Sequence, residues 1–347
     1  MTSARQPAGQ GGPVRQAAGL ARSGPGGEWV ACRYADVQAV LCDDRFGVDP
    51  AAPGGPAGTI SWLRASVSRF ANGGEHRRRR ALVLGELARL DPSALAVGVR
   101  QRAGAVLGAV GQPGDRADVM ALLARRVPMA TMAAALGAPD PGGAAAAAID
   151  AAAAYFGGAG ERARQAADAG TAALAWLLGP GKEDLVAARI SLLVQACDAV
   201  AGLIGESLAI LQDAPDGAGW PTEAVLTEVL RYRPAVRLSR RVALDPVRLG
   251  GGRGQPADVI ICDLDAANSD PAVFEGPGRF DPARPGPASL TFGYGLRPCP
   301  APAHALALAG GVVDAVRTGC EFLPGQRISY EPQAALRIPR RLEVILR

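Results

Sequence analysis

One stretch, from 183 to 213, constrains the fold more than any other part of the sequence. It contains no proline, and apolar side chains recur along it at steps of three and four residues. These side chains are Val186, Ile190, Leu193, Cys197, Val200, Ile204, Leu208 and Leu211. This period is typical of a helix whose apolar stripe packs against other elements. At 1.5 Å per residue the helix would be about 45 Å long, which predicts a core built around one long helix.

Shorter segments show similar patterns. Further helices are predicted over 76–90, 118–136 (with a kink or break at Pro128), 144–178 (in two pieces, broken at 157–160), 222–232 and about 302–318. A short strand followed by a helix is predicted over 28–41, and paired short strands over 242–262 around a turn at 250–254. The sequence therefore predicts a mainly α fold with small β-sheets. Residues 28–347 are expected to form a single domain, and 1–27 a mobile N-terminal segment.

The composition argues against several classes of protein. Hydrophobic residues make up 48% of the chain, enough for a large core, and the net charge of +4 is mild for 347 residues. No aromatic residue interleaves with the basic run at 76–80, so no nucleic-acid-binding surface is predicted. The six cysteines are scattered without a CxxC pair, which is typical of reduced intracellular thiols.

No segment is expected to enter a membrane. The N-terminal residues lack the apolar centre of a signal peptide. The best candidate for a membrane span, 144–156, is short and contains Asp150. The predicted location is the cytoplasm.

A glycine-rich loop at 292–299, Phe-Gly-Tyr-Gly-Leu-Arg-Pro-Cys, carries the most specific chemical signal. Its two glycines allow a tight turn and a close approach of the backbone to a flat ligand. Cys299 directly precedes a predicted helix, whose dipole and free N–H groups stabilise a thiolate. Arg297 lies where it can reach an anionic group at the ligand's edge. A haem needs this combination of a thiolate and a cation, although an ordinary turn with a buried cysteine is the alternative for the loop alone.

With its surroundings, the loop resembles the haem-binding signature of the cytochrome P450 family, F-G-x-G-x-[H/R]-x-C-x-G. Upstream, 228–231 (Glu-Val-Leu-Arg) matches the family's E-x-x-R, and 240–243, 267–271 and 278–282 follow in the family's order. The resemblance covers about residues 28–347. It implies a cytochrome P450-like single-domain haem fold.

The resemblance also implies a cofactor and its ligands. The cofactor is haem b (iron protoporphyrin IX), with Cys299 as the iron ligand. The run 76–80 is similar to the family's H-x-x-x-R, whose first and last residues bind haem propionates. The implied haem-binding residues are His76, Arg80, Arg241, Phe292, Arg297 and Cys299. A buried network of Glu228, Arg231 and Arg279 is expected behind the haem.

Partners follow from the same resemblance. The arginines at 77–79 are expected to form a solvated face, and such a face commonly docks an acidic ferredoxin. The implied partners are a small-molecule substrate and a ferredoxin or another electron-transfer protein.

The long helix departs from the family at its proton relay. The family has A-G-x-[D/E]-T there, in which the acid and the threonine relay protons to the oxygen activated at the haem. The aligned residues here are Gln195, Ala196, Cys197, Asp198 and Ala199. The acid is present, but Ala199 has no hydroxyl and Cys197 is a poor donor. Gln195, Asp198 and Ala199 are the candidate catalytic positions.

Two prolines distinguish the residues after Cys299. Because Pro300 and Pro302 have no N–H, only Ala301 and later residues can donate to the sulfur. Fewer donors leave the sulfur more electron-rich, which should lower the reduction potential of the iron.

The region of the lid also departs from the family. The stretch between the alanine-rich helices and the long helix is shorter than in ordinary bacterial members, which predicts a shortened lid and a pocket that is open or closed by a partner. Few aromatic residues are expected near that pocket, and core packing is the simpler role for each of them: Trp62, Phe70, Tyr155 and Phe156.

Three functions remain open. The first is a monooxygenase in which the substrate or an ordered water delivers protons in place of the missing threonine. The second is haem-thiolate chemistry without oxygen activation: peroxide use, rearrangement, dehydration or nitrene transfer from an N–O substrate. The third is a degenerate, non-catalytic binding module. A specialised metabolite is the expected substrate class on the family resemblance alone.

Overall fold

The computed structural model describes residues 21–23, 28–214, 217, 219–249 and 252–347. Within them the helices are α1 Tyr34–Cys42, α2 Ile60–Ser66, α3 Gly73–Leu87, α4 Pro92–Val110, α5 Arg126–Ala135, α6 Pro141–Tyr155, α7 Glu161–Leu177, α8 Glu183–Gln212, α9 Thr222–Tyr232, α10 Leu264–Ala267 and α11 Pro302–Gly319. A 3-10 turn covers Ser68–Phe70, and a π-helical turn covers Met120–Ala124. The predicted mainly α fold with small β-sheets is confirmed.

The strands are short and form three small sheets. They are β1 Ala21–Ser23, β2 Glu28–Ala31, β3 Phe46–Gly47, β4 Arg116–Asp118, β5 Leu238–Ala243, β6 Val247–Leu249, β7 Gly252–Gly254, β8 Val259–Asp263, β9 Cys320–Phe322 and β10 Glu343–Leu346. The largest sheet has the order β1-β2-β8-β5-β3, with β2 and β8 parallel and the other pairs antiparallel. The others have the orders β4-β10-β9 and β6-β7.

The predicted N-terminal segment falls mostly on residues that the structure does not describe. The mobile segment expected over 1–27 lies outside the described residues except at β1. Those three residues pair with β2, so this part of the segment belongs to the sheet.

Helix α8 lies at the centre of the core, as its apolar period predicts. All eight side chains of the predicted stripe are buried, and α8 packs against α2, α3, α5, α6, α7, α9 and α11. Its glycines permit close crossings: a Cβ on Gly202 would lie 2.7 Å from the carbonyl oxygen of Arg337. The C-terminal chain therefore passes directly against the helix.

The same helix corrects one expectation about membranes. Among the described residues, α8 is the one helix that is long and apolar enough to cross a membrane by length and composition, although the sequence was expected to contain none. However, 72% of its most apolar window is buried inside the protein. Packing in the core therefore accounts for its apolar character.

Several helix boundaries differ from the sequence expectation. The break at 157–160 is confirmed, because α6 ends at Tyr155 and α7 begins at Glu161. The break expected at Pro128 is present but falls three residues earlier, at Arg125, between the π-helical turn and α5. Pro128 lies in the first turn of α5, where a missing N–H costs no hydrogen bond. The apolar pattern does not predict α4, although Asp91 caps it and Pro92 begins it.

The connections on either side of α8 are short. Residues 178–182 join α7 to α8, and residues 213–221 join α8 to α9. The alanine-rich helices therefore run almost directly into the central helix, in agreement with the expected shortened lid.

A buried ion-pair network fixes the irregular chain that follows β8. On α9, Arg231 pairs with Glu228 at 2.6 Å, and both side chains are almost fully buried. The third member is Arg284, whose Nε lies 3.1 Å from Glu228 Oε1. Arg279, predicted for this position, instead turns its side chain to solvent and pairs with Asp281, while its carbonyl oxygen accepts hydrogen bonds from Arg231 and Arg284. The expected Glu228–Arg231–Arg279 network is therefore corrected to Glu228–Arg231–Arg284.

This correction predicts unequal effects of two arginine substitutions. Arg284→Gln should lower the free energy of unfolding by about 3 kcal/mol, because it leaves part of a buried carboxylate unpaired. The matched change Arg279→Gln removes an exposed pair and should cost less than about 1 kcal/mol. Urea denaturation of both variants measures the difference. Equal effects, or a larger effect at Arg279, would contradict the assignment.

Candidate functional site

The loop 292–299 has the backbone geometry that its glycines predict. Gly293 and Gly295 adopt φ of 76° and 64°. A Cβ on Gly295 would lie 2.5 Å from the carbonyl oxygen of Leu41, so α1 excludes any larger residue there. The Cys299 N–H donates to the Phe292 carbonyl oxygen at 2.6 Å, which closes the loop. Cys299 is thereby held three residues before helix α11, whose first residue with an N–H is Ala303.

The sulfur of Cys299 accepts a hydrogen bond from the backbone. Among the described residues the donor is the Ala301 N–H, at 3.4 Å. Pro300 and Pro302 on either side of it cannot donate. Burial raises the pKa of the Cys299 thiol, and the Ala301 N–H and the charges of Arg80 and Arg69 oppose that rise. The local field thus favours the thiolate, while burial favours the thiol.

Arg297 links this loop to the start of α3. Its guanidinium donates to the carbonyl oxygens of Ala71 at 2.7 Å and Ser68 at 3.1 Å. Burial, followed by the charges of Arg241, Arg69 and Arg80, lowers the pKa of Arg297 to about 10. The side chain therefore remains a cation at neutral pH, in surroundings that disfavour its charge.

Two more arginines lie in the same region. Arg241, on β5, is buried and donates to Ser239 Oγ and to the Arg240 carbonyl oxygen. Burial lowers the pKa of Arg241, opposed by Cys262 and reinforced by Arg69. Arg80, on α3, is half-buried, and burial lowers its pKa while Cys299 raises it. Three different segments, namely the loop itself, β5 and α3, thus place positive charge near Cys299.

His76 lies on α3, one turn before Arg80. Burial, followed by the charges of Arg297, Arg80, Arg77 and Arg241, lowers the pKa of His76 to about 4. The imidazole is therefore neutral at pH 7. It can form hydrogen bonds with an anion but adds no positive charge.

The sequence did not single out Arg69, although it belongs to this cluster. Its charge acts on Cys299, Arg241 and Arg297, and its guanidinium lies over the ring of Phe156 at 5.4 Å. It follows α2 in a 3-10 turn with no motif around it. Proximity in the folded chain is the only signal that identifies it.

We call Arg69, His76, Arg80, Arg241 and Arg297 the cationic cluster. Within the part of the chain that the structure describes, none of its members forms an ion pair with an acidic side chain. Buried charges are normally paired, because desolvation without a partner is costly. The cluster therefore fits an anionic ligand beside Cys299, and the carboxylates of a haem have this chemistry.

The candidate catalytic positions lie on an open face of α8. Between Ile190 and Ala209 every residue of this helix is buried except 195, 196, 198 and 199, which are partly exposed. Gln195, Asp198 and Ala199 are therefore brought together on one partly exposed face of α8. Phe292, by contrast, is partly buried against the main core.

Asp198 is engaged in an ion pair that the sequence did not indicate. Arg125, at the start of α5, donates to Asp198 Oδ1 at 2.8 Å and to both carboxylate oxygens of Glu331 at 2.8 and 2.9 Å. All three side chains are largely buried. The carboxylate of Asp198 is thus tied to α5 and to the C-terminal chain, and the adjacent Ala199 offers no hydroxyl.

Comparison with known proteins gives the following relatives. A family model for cytochrome P450 matches residues 222–300. A putative cytochrome P450 140 of Mycobacterium tuberculosis is 35% identical over 144 residues, which cover 39% of this chain and 32% of that protein. Cytochrome P450-SOY of Streptomyces griseus is 25% identical over 336 residues, which cover 87% of this chain and 80% of that protein. The crystal structure of CalO2 matches with a TM-score of 0.78 at 24% identity, over 94% of this chain and 92% of that one.

The matches differ in extent. The match to the mycobacterial protein spans about a third of that protein's length, whereas the match to P450-SOY extends over most of both chains. The family model falls on the segment that contains Glu228, Arg231 and Cys299. The chain is therefore similar in sequence to cytochrome P450s over residues 222–300 and, at lower identity, over most of its length, and it has the fold of the solved cytochrome P450-like structures that it matches.

Proposed function

We propose that this chain is a haem-thiolate oxidoreductase of the monooxygenase type that acts on a small specialised metabolite. The observation that supports this is the joint position of Cys299 and the cationic cluster. The cysteine lies in a preformed loop, and the buried cations beside it have no acidic partner among the described residues. A cysteine thiolate can bind the iron of a haem, and nearby cations can pair with its two propionates.

The side chains present fit haem b. Cys299 would ligate the iron, and Arg80, Arg241 and Arg297 would pair with the propionates. His76, neutral at pH 7, would complete the site with a hydrogen bond, and Phe292 would pack beside the loop. When bound, the haem supplies an iron centre at which an organic substrate is oxidised.

Proton delivery in this proposal does not use the usual pair of side chains. The carboxylate of Asp198 is held by Arg125, and Ala199 cannot pass a proton on. On the open face of α8, Gln195 is then the polar side chain that can orient a water molecule. We infer that protons reach the reacting atoms through an ordered water or a group of the substrate itself.

A second function is favoured by the same observations. An engaged acid, a missing hydroxyl and a single N–H donor to Cys299 all suit haem-thiolate chemistry that activates no oxygen. Such an enzyme would use peroxide or rearrange, dehydrate or transfer a nitrene from a pre-activated substrate. It would need Cys299 and the cationic cluster, but no proton relay on α8.

For the first function an electron-transfer partner, such as an acidic ferredoxin, is part of the proposal. The arginine run on α3 is less free than its sequence indicates, because Arg78 pairs with Glu75 and Asp184, and Arg79 pairs with Glu75. Arg77 remains exposed, and Tyr294 and Leu296 are exposed on the Cys299 loop. A cytoplasmic location is proposed with this partner.

The iron ligand is tested by an absorption spectrum. The purified protein, reduced under carbon monoxide, should show the red-shifted Soret band of a thiolate-ligated haem. Cys299→Ser should lose this band, because a hydroxyl is a far weaker ligand than a thiolate. Cys32→Ser, a change at an exposed cysteine, should keep it. Retention of the band in Cys299→Ser would show that another residue is the ligand.

The role of the cationic cluster is tested by one substitution that should weaken haem retention without destabilising the haem-free protein. Arg80→Gln should weaken haem retention by roughly tenfold, because it removes a charged partner of a propionate. In the haem-free protein the same change should leave the melting temperature unchanged or raise it, because it removes a half-buried charge without a partner. Arg77→Gln is the matched control at an exposed position. Haem transfer to apomyoglobin and thermal melts measure both effects, and a destabilised apoprotein with normal haem retention would contradict this role.

The two candidate functions are separated by Ala199→Thr. If the chain is a monooxygenase, the new hydroxyl beside Asp198 should increase the fraction of reductant electrons recovered in product. Product and reductant consumption are measured with a surrogate ferredoxin system, with Ala196→Thr as a control on the same face. Turnover that needs no reductant, and is unaffected by Ala199→Thr, would support the second function instead.

A further inference from the structure

A second group of buried polar atoms lies beside the cationic cluster. Tyr155, the last residue of α6, is fully buried, and its hydroxyl forms no well-aligned hydrogen bond among the described residues, although the amide of Gln195 lies close to it. The Nε of Arg64, on α2, is also buried without a partner. Protein interiors rarely leave such groups unsatisfied, because water must be given up without replacement.

Aromatic rings hold these groups close together. The ring centroids of Tyr155 and Phe70 are 5.3 Å apart, and the guanidinium of Arg64 lies 4.8 Å from the Phe70 centroid. Arg69 lies in the same way over Phe156, which contacts Tyr155 edge-on at 5.2 Å. Each of the two guanidiniums is therefore stacked on a phenyl group that contacts the Tyr155 ring.

The tyrosine hydroxyl faces the open part of α8. Burial raises the pKa of Tyr155, while the charges of Arg69 and Arg64 and the amide of Gln195 oppose the rise. The hydroxyl is therefore protonated and available as a donor. Gln195 belongs to the half-exposed face of α8 that contains Ala199, so this polar group adjoins the proposed reaction site.

The positive charge in this region exceeds what the proposed cofactor can neutralise. Five arginines, at 64, 69, 80, 241 and 297, have no acidic partner among the described residues. A haem has two propionates, and Cys299 can supply one further negative charge. Arg64 lies on α2 and is not among the charges that act on Arg241, Arg297 or Cys299. Arg69 lies between the two groups: its charge acts on all three of these residues, and its guanidinium stacks on Phe156, next to Tyr155.

We propose that Arg64, Arg69 and Tyr155 bind an oxyanion of the substrate, a carboxylate or a phosphate ester. This inference rests on the proposed function, because it assumes that Arg80, Arg241 and Arg297 serve the haem and that Arg69, although it belongs to the cationic cluster, does not. The guanidinium edges and the phenol hydroxyl are the donors that such a group requires. The anion fixes one end of the substrate at α2 and α6, and the rest extends toward Ala199.

The test is isothermal titration calorimetry with the haem-loaded protein. Phenylacetate, dodecanoate and phenyl phosphate are titrated, with methyl phenylacetate and methyl dodecanoate as uncharged counterparts. The variants are Arg64→Gln, Arg69→Gln and Tyr155→Phe, with Arg162→Gln, at an exposed position of α7, as the charge-matched control. Haem content is read separately from the absorbance of each protein.

We expect the acids to bind more tightly than their methyl esters. Each arginine variant should weaken binding of the acids by roughly 10- to 100-fold, since a charge-assisted hydrogen bond is lost. Ester binding and haem content should not change, and Arg162→Gln should have no effect. The relative affinities of phenylacetate and phenyl phosphate decide which oxyanion the site prefers.

Three results would overturn the inference. They are equal affinity for acids and esters, no binding of any acid, and loss of haem from Arg64→Gln or Arg69→Gln, which would assign these side chains to the cofactor. If the absorbance shows that the unmodified protein retains no haem, the proposed function fails. The comparison of acids with esters on the haem-free protein still decides whether the oxyanion site exists.

Discussion

The rest of the site depends on the burial of positive charge around Cys299. Burial and mutual repulsion lower the pKa of Arg297 to about 10, so the fold holds this cation against an electrostatic cost. The same surroundings lower the pKa of His76 to about 4 and keep its imidazole neutral at pH 7. Proteins accept such a cost where a ligand offsets it. The long helix, the β5 strand and the Cys299 loop are the frame that keeps the cations in place without acidic neighbours.

The buried carboxylate of Glu228 has the opposite character, because it is paired with arginines. Glu228 ties α9 to the irregular chain before the Cys299 loop through Arg231 and Arg284. Asn268 continues this anchoring, since its amide binds Leu290 and Thr291 at the entrance of the loop. The position of the sulfur is therefore set by polar contacts that span about seventy residues of sequence.

Asp198, which stands at the position of the acid in the family's proton relay, is likewise paired with an arginine. Arg125 joins it to Glu331, so α5, α8 and the C-terminal chain meet at one guanidinium. Because its carboxylate is paired with Arg125, Asp198 serves to hold α5 and α8 together. Ala199 has no polar side-chain atom. The polar groups left near the partly exposed face of α8 are therefore Gln195, Arg64 and Arg69, and in the proposals above these groups bind the substrate and orient a water molecule.

The local features of the fold follow from sequence patterns. The apolar period at 183–213 predicts the central helix, because a 3.6-residue repeat places all its apolar side chains on one face that must be buried. The glycines at 293 and 295 predict the tight Cys299 loop, because their positive φ angles disfavour other residues. The resemblance to the family motif pointed to Cys299, Glu228 and Arg231 from spacing alone. The contacts between distant segments, by contrast, become evident when the chain is folded. Arg284 rather than Arg279 reaches Glu228, Arg125 engages Asp198, and Arg64 and Arg69 flank Tyr155. No local pattern specifies these pairs, because an arginine side chain is long enough to point toward solvent or core, and the choice depends on how irregular chain folds back onto the helices.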